Sequence, residues 1–422
     1  MEERKENRIT FHIKMNEHNN TDKRTWMQVP QFRFTFYDMN NHDAFTKVVS
    51  EAKLAISMGI YPSRTSVGSS GSYFIRPSKG DLYTAIFKPA DEEPYADLNP
   101  RWSKWLHKHL SPCCFGRACL VPNTGYLSEA MASLIDRFFR LEMVPRTEIV
   151  YLAAPTFSYP PGEGKVIREK VGSLQLFVNG FTAFSECGQV IQTVARQNPV
   201  FAKQFHSELE RLICLDYLCR NTDRTADNWL VKVVWVPKEV SGEKVIDGLF
   251  PDIPNLQQTH SPVIKIAAID HGLSFPWRHP GGCRRYPWSW ESLPECLLPF
   301  SSELRREMLI TLDDPRKWHE LSAHLCALYA GTDPSTLLYT NRMLSVLRGQ
   351  MWNLREILKM PNSTPADLVS MPPRRVEPDN DHFWKRYGWR RDKHMYTEQT
   401  AMGERWWVKT ERDGSIFCCR MF

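Results

Sequence analysis

The stretch Arg220-Asn221-Thr222-Asp223-Arg224-Thr225-Ala226-Asp227-Asn228, in which only Ala226 is apolar, sits between two apolar runs of different period. Before it, Phe201, Phe205, Leu209, Leu212, Ile213, Leu215 and Leu218 recur at helical spacing and predict a long buried helix ending near Arg220. After it, Trp229 to Val236 is rich in β-branched and aromatic residues and predicts a strand. A carboxylate and a carboxamide, Asp223 and Asn228, are thereby held at a helix-to-strand junction. Phosphoryl transfer uses such a pair, one group to orient and deprotonate an attacking hydroxyl and the other to ligate a divalent ion. The spacing alone says little. An Asp followed by an Asn at this interval arises by chance roughly once in a chain of this length, and a capped helix end leading into an Asx-rich turn gives the same pattern.

Working outward, Val263 to Ile269 predicts the next strand, after a Pro- and Gly-rich loop of about 25 residues, a length usually reserved for functional or disordered segments. Asp270-His271-Gly272 follows it, where an Asp-x-Gly metal ligand belongs. Upstream, the small residues Gly68, Ser69, Ser70, Gly71 and Ser72, preceded by Ser66 and Val67, form a turn that leads into the β-prone run Tyr73 to Arg76. Small side chains let backbone N–H groups approach a polyanion, though an ordinary Gly-Ser turn has the same composition. A second run, Leu82 to Lys88, follows the turn Pro77 to Asp81, and alternation places Lys88 on the face of Thr84 and Ile86, either to pair with phosphate oxygens or as a solvated strand-end charge. The order of the four motifs, each in the setting its chemistry requires, points to a phosphotransferase cleft. In that cleft Asp270 and Asn228 hold magnesium, with manganese as a substitute. Lys88 and the small-residue turn position ATP, and Asp223 acts on the acceptor hydroxyl. Arg224 is open between a surface salt bridge and a cation near the γ phosphate.

The 422 residues suggest two or three domains or one bilobed unit at about 150 residues per domain. A hydrophobic fraction of 42% and a charged fraction of 24%, with mean hydropathy −0.43, exclude disordered, collagenous and polytopic classes. No run approaches the roughly 18 apolar residues of a bilayer span, and Met1 to Arg8 is too charged for a signal peptide, so the default compartment is the cytosol. The eleven cysteines lack the spacing of a disulfide framework and are read as thiols. Helices are expected around Phe45 to Ile56, stopped by Gly59, and over Ser128 to Phe139; strands over Thr147 to Leu152 and Leu174 to Val178. After the strand Val263 to Ile269, the remainder to about Met371 reads as helical. Strands early and helices late predict an α+β chain in two lobes with the ligand cleft between them. Residues 1–42 are expected as a flexible arm, 43–373 as the catalytic domain (lobes of about 43–176 and 177–373), and 374–422 as a tail of unknown role.

The net charge of +6 matters only where it clusters. Arg101, Trp102, Lys104, Trp105 and Lys108 lie in a window without acidic residues and suit an anionic bilayer, with core packing of the tryptophans as the alternative. A second such window, His271 to Trp290, follows the proposed metal ligand at the position of an activation segment and contains Trp277, Arg278, Arg284, Arg285, Trp288 and Trp290. Cys113 and Cys114, beside the first window, are candidates for palmitoylation or for buried apolar packing. Nucleic acid is set aside, since no binding module or strongly basic domain is present.

These residues also carry a resemblance. The sequence resembles the type II phosphatidylinositol 4-kinases through Gly68 to Tyr73, Phe87-Lys88-Pro89, Glu92-Glu93-Pro94-Tyr95, Leu98-Asn99-Pro100, Cys113 to Gly116, Gly125 to Ala130, Val144 to Thr147, Leu176-Phe177-Val178, Asn221 to Arg224, Asp227-Asn228-Trp229 and Ala268-Ile269-Asp270. The resemblance implies a bilobed, protein-kinase-like phosphoinositide kinase fold and transfer of the ATP γ phosphate to the inositol 4-hydroxyl of phosphatidylinositol. It places adenine against Gln175, Leu176, Phe177 and Val178, and substrate near Glu93, Pro94 and Tyr95. It implies work on the cytoplasmic face of Golgi, trans-Golgi and endosomal membranes, held there by palmitoylated cysteines, with some of the protein cytosolic; separately, a monomer is expected. Three features depart from the family. Leu110-Ser111-Pro112-Cys113-Cys114 replaces a four-cysteine cluster, the segment Pro155 to Lys170 is shorter, and Thr225-Ala226 and His271 stand where the family often has Gly-Asn and Asn.

Overall fold

The computed structural model describes residues 42–66, 68, 70–94, 96–99, 117–160, 167–238, 246–248, 256–281, 285–329, 334–378, 396–399 and 405–410. Val67, Ser69, Tyr95, Arg101, Trp102, Lys104, Trp105, Lys108, Cys113, Cys114 and Arg284 lie outside them, as does the expected arm up to residue 41.

The first half of the chain supplies helix α1 (His42–Ser57), strands β1 (Ser63–Arg64), β2 (Tyr73–Ile75) and β3 (Ala85–Pro89), helix α2 (Gly125–Phe139), and strands β4 (Thr147–Leu152) and β5 (Lys170–Leu176). The strands form one antiparallel sheet in the order β1-β2-β3-β5-β4, with Phe87 opposite Leu174 and Lys88 opposite Ser173. Alternation along β3 buries Ala85, Phe87 and Pro89 and turns Ile86 and Lys88 to the other face. The buried face meets Phe45 and Ala52 of α1 and, with Tyr73, Ile75, Phe157 and Leu174, makes a small core. Lys88 projects away from that core.

The larger lobe contains β6 (Thr182–Ala183), α3 (Phe184–Gln197), α4 (Pro199–Cys219), β7 (Trp229–Pro237), β8 (Ile246–Asp247), the single turn α5 (Leu256–Thr259), β9 (His260–Ala268), α6 (Ser302–Leu312), α7 (Pro315–Tyr329), α8 (Pro334–Lys359) and α9 (Pro365–Val369). Asn198 starts α4 by accepting from the N–H groups of Val200 and Phe201, both at 3.0 Å, with Pro199 at the first helical position. The helix ends at Arg220, which adopts the left-handed conformation (φ 43°) and turns the chain into the polar stretch. Strands β7 and β9 pair antiparallel over their whole length, Trp229 opposite Ala268, so Asn228 and the segment after β9 emerge side by side. Part of the long loop between them is ordered as β8 and α5.

Helix α2 belongs by sequence to the first half, yet Leu127, Met131, Ile135 and Phe139 pack into the larger lobe's core. It begins at Gly125, three residues before the expected Ser128, because the Glu93 carboxylate accepts from the N–H groups of Gly125 (2.9 Å) and Tyr126 (2.6 Å). Beyond residue 373 the chain adds β10 (Arg374–Pro378), β11 (Tyr396–Gln399) and β12 (Arg405–Thr410), an antiparallel sheet in the order β10-β12-β11. Val376 and Val408 are fully buried in the large core, so this sheet is packed onto the larger lobe. No helix among the described residues is long and apolar enough to cross a membrane.

Candidate active site

The small-residue turn is tied down from behind. The Gly71 N–H donates to the Glu92 carbonyl (2.9 Å), and a side chain at Gly71 would overlap the Glu92 carboxylate. That carboxylate is fully buried and accepts from Lys170 Nζ (2.8 Å), Tyr73 Oη (2.7 Å) and the Ser158 N–H (2.9 Å). Ser70 and Ser72 share a hydrogen bond between their hydroxyls (3.3 Å). The turn therefore enters β2 from a fixed point.

Lys88 stands at the centre of the cleft. Its Nζ donates to Glu129 Oε1 at 2.5 Å and to Asp270 Oδ1 at 2.9 Å. Glu129 comes from α2 and Asp270 from the end of β9, so one ammonium joins the small sheet to two elements seated on the large core. Burial alone would lower the lysine, but Asp270 and Glu129 more than offset it and hold it above its ordinary value. Lys88 in turn holds the Asp270 carboxyl below its usual range. Burial pushes Glu129 up against the pull of Lys88. Asp270 is left-handed (φ 54°), a conformation unfavourable for a residue with a Cβ, and its side chain is half exposed to the cleft.

The polar stretch is held by backbone bonds. Asp223 accepts from Arg117 Nη2 at 2.7 Å, and its own N–H donates to Asn221 Oδ1 (2.8 Å). Asn228 Nδ2 donates to the Asp223 carbonyl (2.7 Å), which fixes the carboxamide and keeps its oxygen, the atom a hard cation takes, out of that bond. The Ile269 N–H donates to the Asn228 carbonyl (3.0 Å), setting Asp270 beside the same loop. Burial raises Asp223, partly opposed by Arg117. Among the described residues no cluster of three or more His, Cys, Asp or Glu side chains could hold a metal. Two oxygen-bearing side chains beside a cleft suit an ion that completes its shell with phosphate and water.

Asp223, Asn228, Lys88 and Asp270 therefore converge. The segment Gln175, Leu176, Phe177 and Val178 crosses between the lobes, with the Gln175 side chain turned inward to donate to Thr147 Oγ1 (2.9 Å). Three expectations need correction. Trp288 and Trp290, expected at a bilayer, are buried and stacked on each other at 5.0 Å, and Trp290 Nε1 donates to Asp216 Oδ2 (2.9 Å). An indole that meets a buried carboxylate gains more inside than at a surface. Glu93, expected at the substrate, spends its carboxylate on the start of α2, and burial raises it to about 7. Arg224 is neither a surface pair nor a phosphate cation: it is buried against Asp216 (Nε to Oδ1 2.9 Å) and donates to the carbonyls of Asn228 and Ile269. Of the arginines and tryptophans of the second window, Arg285 alone is exposed among the described residues, paired with Glu291.

The site residues not singled out from sequence are Glu129, Arg117 and Asp216. A glutamate in the second turn of the helix after the lysine strand was the available signal for Glu129, since kinases pair a strand lysine with a helix glutamate. The sequence pattern of the family described as phosphatidylinositol 3- and 4-kinase matches residues 68–353. The chain is 40% identical over 353 residues to phosphatidylinositol 4-kinase type 2-beta of Xenopus tropicalis, covering 78% of this chain and 70% of the relative. It is 40% identical over 355 residues to phosphatidylinositol 4-kinase type 2-alpha of Danio rerio, covering 79% and 77%. The Mus musculus type 2-beta enzyme matches at 39% over 350 residues, 78% and 72%. The chain belongs to the phosphatidylinositol 3- and 4-kinase family. Membership brings use of ATP and a divalent ion in general, and the α+β architecture agrees with it. The matched span of this kinase, 68–353, contains every charged residue that converges on the cleft.

Proposed function

We propose that the protein is a 1-phosphatidylinositol 4-kinase, transferring the ATP γ phosphate to the inositol 4-hydroxyl of phosphatidylinositol. The observation that carries this reading is Lys88 Nζ bonded at once to Glu129 and Asp270, next to the loop that bears Asp223 and Asn228, in a chain similar over most of its length to named phosphatidylinositol 4-kinases. Asp223 is the group that orients the acceptor hydroxyl and takes its proton. Lys88 fixes phosphate oxygens, with Glu129 holding the ammonium in place. Asp270 and Asn228 would hold magnesium, whose charge when bound neutralises the phosphates. Apart from the Gly71 N–H, which is bonded to the Glu92 carbonyl, the Gly68 to Ser72 turn offers its backbone N–H groups to the same phosphates, and Gln175 to Val178 lie where adenine is expected. The enzyme acts as a monomer at the cytoplasmic face of Golgi, trans-Golgi and endosomal membranes. Arg101, Trp102, Lys104, Trp105, Lys108, Arg284 and Arg285 provide the lipid contact, and Cys113 and Cys114 the acylation sites.

The test is radiolabelled ATP with phosphatidylinositol vesicles and headgroup analysis of the product. The parent chain labels the 4-position, and Asp223→Ala and Lys88→Met each lower the rate by about a hundred-fold or more, the scale of losing a positioned base or charge. Labelling of peptide but not lipid, or an unaffected rate in both variants, would overturn the assignment.

A further inference from the structure

His271 lies directly after Asp270, and its ring is completely buried. Its Nε2 is 2.8 Å from Arg224 Nη2. A guanidinium carries only donors and stays protonated, so Nε2 must accept through its lone pair. The neutral ring then carries its proton on Nδ1.

That Nδ1 is 3.9 Å from Glu129 Oε2. Both atoms are buried and neither has a hydrogen-bond partner among the described residues. The other oxygen of the same carboxylate, Oε1, holds Lys88. At the far end Asp216 anchors Arg224 through Nε, at 2.9 Å and 3.0 Å to its two oxygens. A line of side chains, Asp216, Arg224, His271, Glu129 and Lys88, thus runs from behind the catalytic loop to the lysine, with one link open by about 1 Å relative to a normal hydrogen bond. A buried donor and a buried acceptor left without partners both cost stability, so a small approach of α2 to the Asp270-His271 segment is favoured.

We propose that His271 is a positioning residue: its Nδ1–H closes onto Glu129 Oε2 in the working enzyme and orients the carboxylate so that Oε1 stays on Lys88. Arg224 selects the tautomer that makes this contact. The inference rests on the lysine's part in the proposed kinase reaction, but its tests need no lipid. Histidine side-chain 15N spectra of the full chain, with His271 assigned by the signal lost in His271→Asn, should show Nδ1 protonated and Nε2 bare. A ring protonated at Nε2, or at both nitrogens, at neutral pH would overturn the proposal. Two variants separate the ring's two contacts. Asn places an amide nitrogen near the Nδ1 position, whereas Gln reaches only toward Nε2. Binding of a fluorescent ATP analogue with magnesium, without lipid, should stay within about three-fold of the parent in His271→Asn. It should weaken about ten-fold in His271→Gln, the loss of one buried hydrogen bond to a charged group. Equal weakening in both variants would show a packing role only and sink the assignment. The tautomer is read on the parent chain and either His271→Asn or His271→Gln suffices to assign the signal, so poor folding of one variant leaves that arm decisive, and failure of lipid phosphorylation leaves both arms readable.

Discussion

Asp136 is fully buried, and its Oδ1 accepts from the Met143 N–H at 2.7 Å while its Oδ2 has no partner among the described residues. Burial pushes its pKa to about 7, against the pull of the Met143 and Val144 N–H groups. The folded chain therefore holds this proton more tightly than the unfolded chain, whose Asp titrates near its ordinary value of about 4. Between those two values stability falls as pH rises, since the native state binds more protons there. Asp136→Asn keeps the acceptor and removes the charge. Thermal melts should show the variant more stable than the parent by about 2 kcal/mol at pH 8, with the gap closing towards pH 5. A constant gap would mean that the carboxyl is ionised in the folded state throughout. None of this was visible in the sequence, where Asp136 is one more acid on an amphipathic helix. The site groups that were legible, Lys88, Asp223, Asn228 and Asp270, are each marked by a local pattern at the end of a strand or a helix. Glu129 and Arg117 were not, because their roles exist only through partners 41 and 106 positions away. Burial of Trp288 and Trp290 was hidden for the same reason: the carboxylate that draws Trp290 inward, Asp216, is 74 positions away.

Element boundaries followed local chemistry closely where a cap or a turn set them. The long helix ends at its left-handed Arg220, and β7 and β9 start and stop near their apolar runs. Two elements escaped. Helix α3 carries a regular helical stripe, Phe184, Cys187, Gly188, Ile191 and Val194, but two of its five members are the small residues Cys and Gly, so the apolar signal is carried by few large side chains. The sheet β10-β12-β11 lies in a basic, aromatic segment and packs on α8. Gly349 marks their contact. In an exposed helix Gly→Ala would stabilise by about 1 kcal/mol. Here a methyl would overlap the Arg374 carbonyl oxygen, a backbone atom that cannot withdraw without breaking the β10 ladder. Overpacking of about 1–3 kcal/mol should therefore win. Urea denaturation of Gly349→Ala is expected to show a lower midpoint than the parent, and a higher midpoint would show that β10 sits less firmly on α8 than its buried Val376 indicates.

At the scale of the molecule, the two lobes have separate cores and meet through few elements: α2, the segment after β5, and the Lys88 bridge. The third sheet acts on the larger lobe only. Val376 and Val408 are wholly buried there, and the Arg374 carbonyl lies 2.8 Å from His279 Nε2 in the segment after Asp270. That segment is also held by Trp277, which packs edge-on against Tyr339 at 5.6 Å and whose N–H donates to the Cys119 carbonyl at 2.9 Å. A chain ended after Pro373 should lose about 3 kcal/mol or more, from two buried valines at about 1.5 kcal/mol each before any further loss. Its larger lobe should unfold first, with the small sheet unchanged at lower denaturant. Hydrogen exchange should quicken at residues 271–281 and along the exposed face of α8, but not in β2, β3 or β5. If exchange quickened equally in both lobes, the Lys88 bridge would be coupling them into one cooperative unit, and the third sheet would be stabilising the whole kinase rather than the half on which it rests.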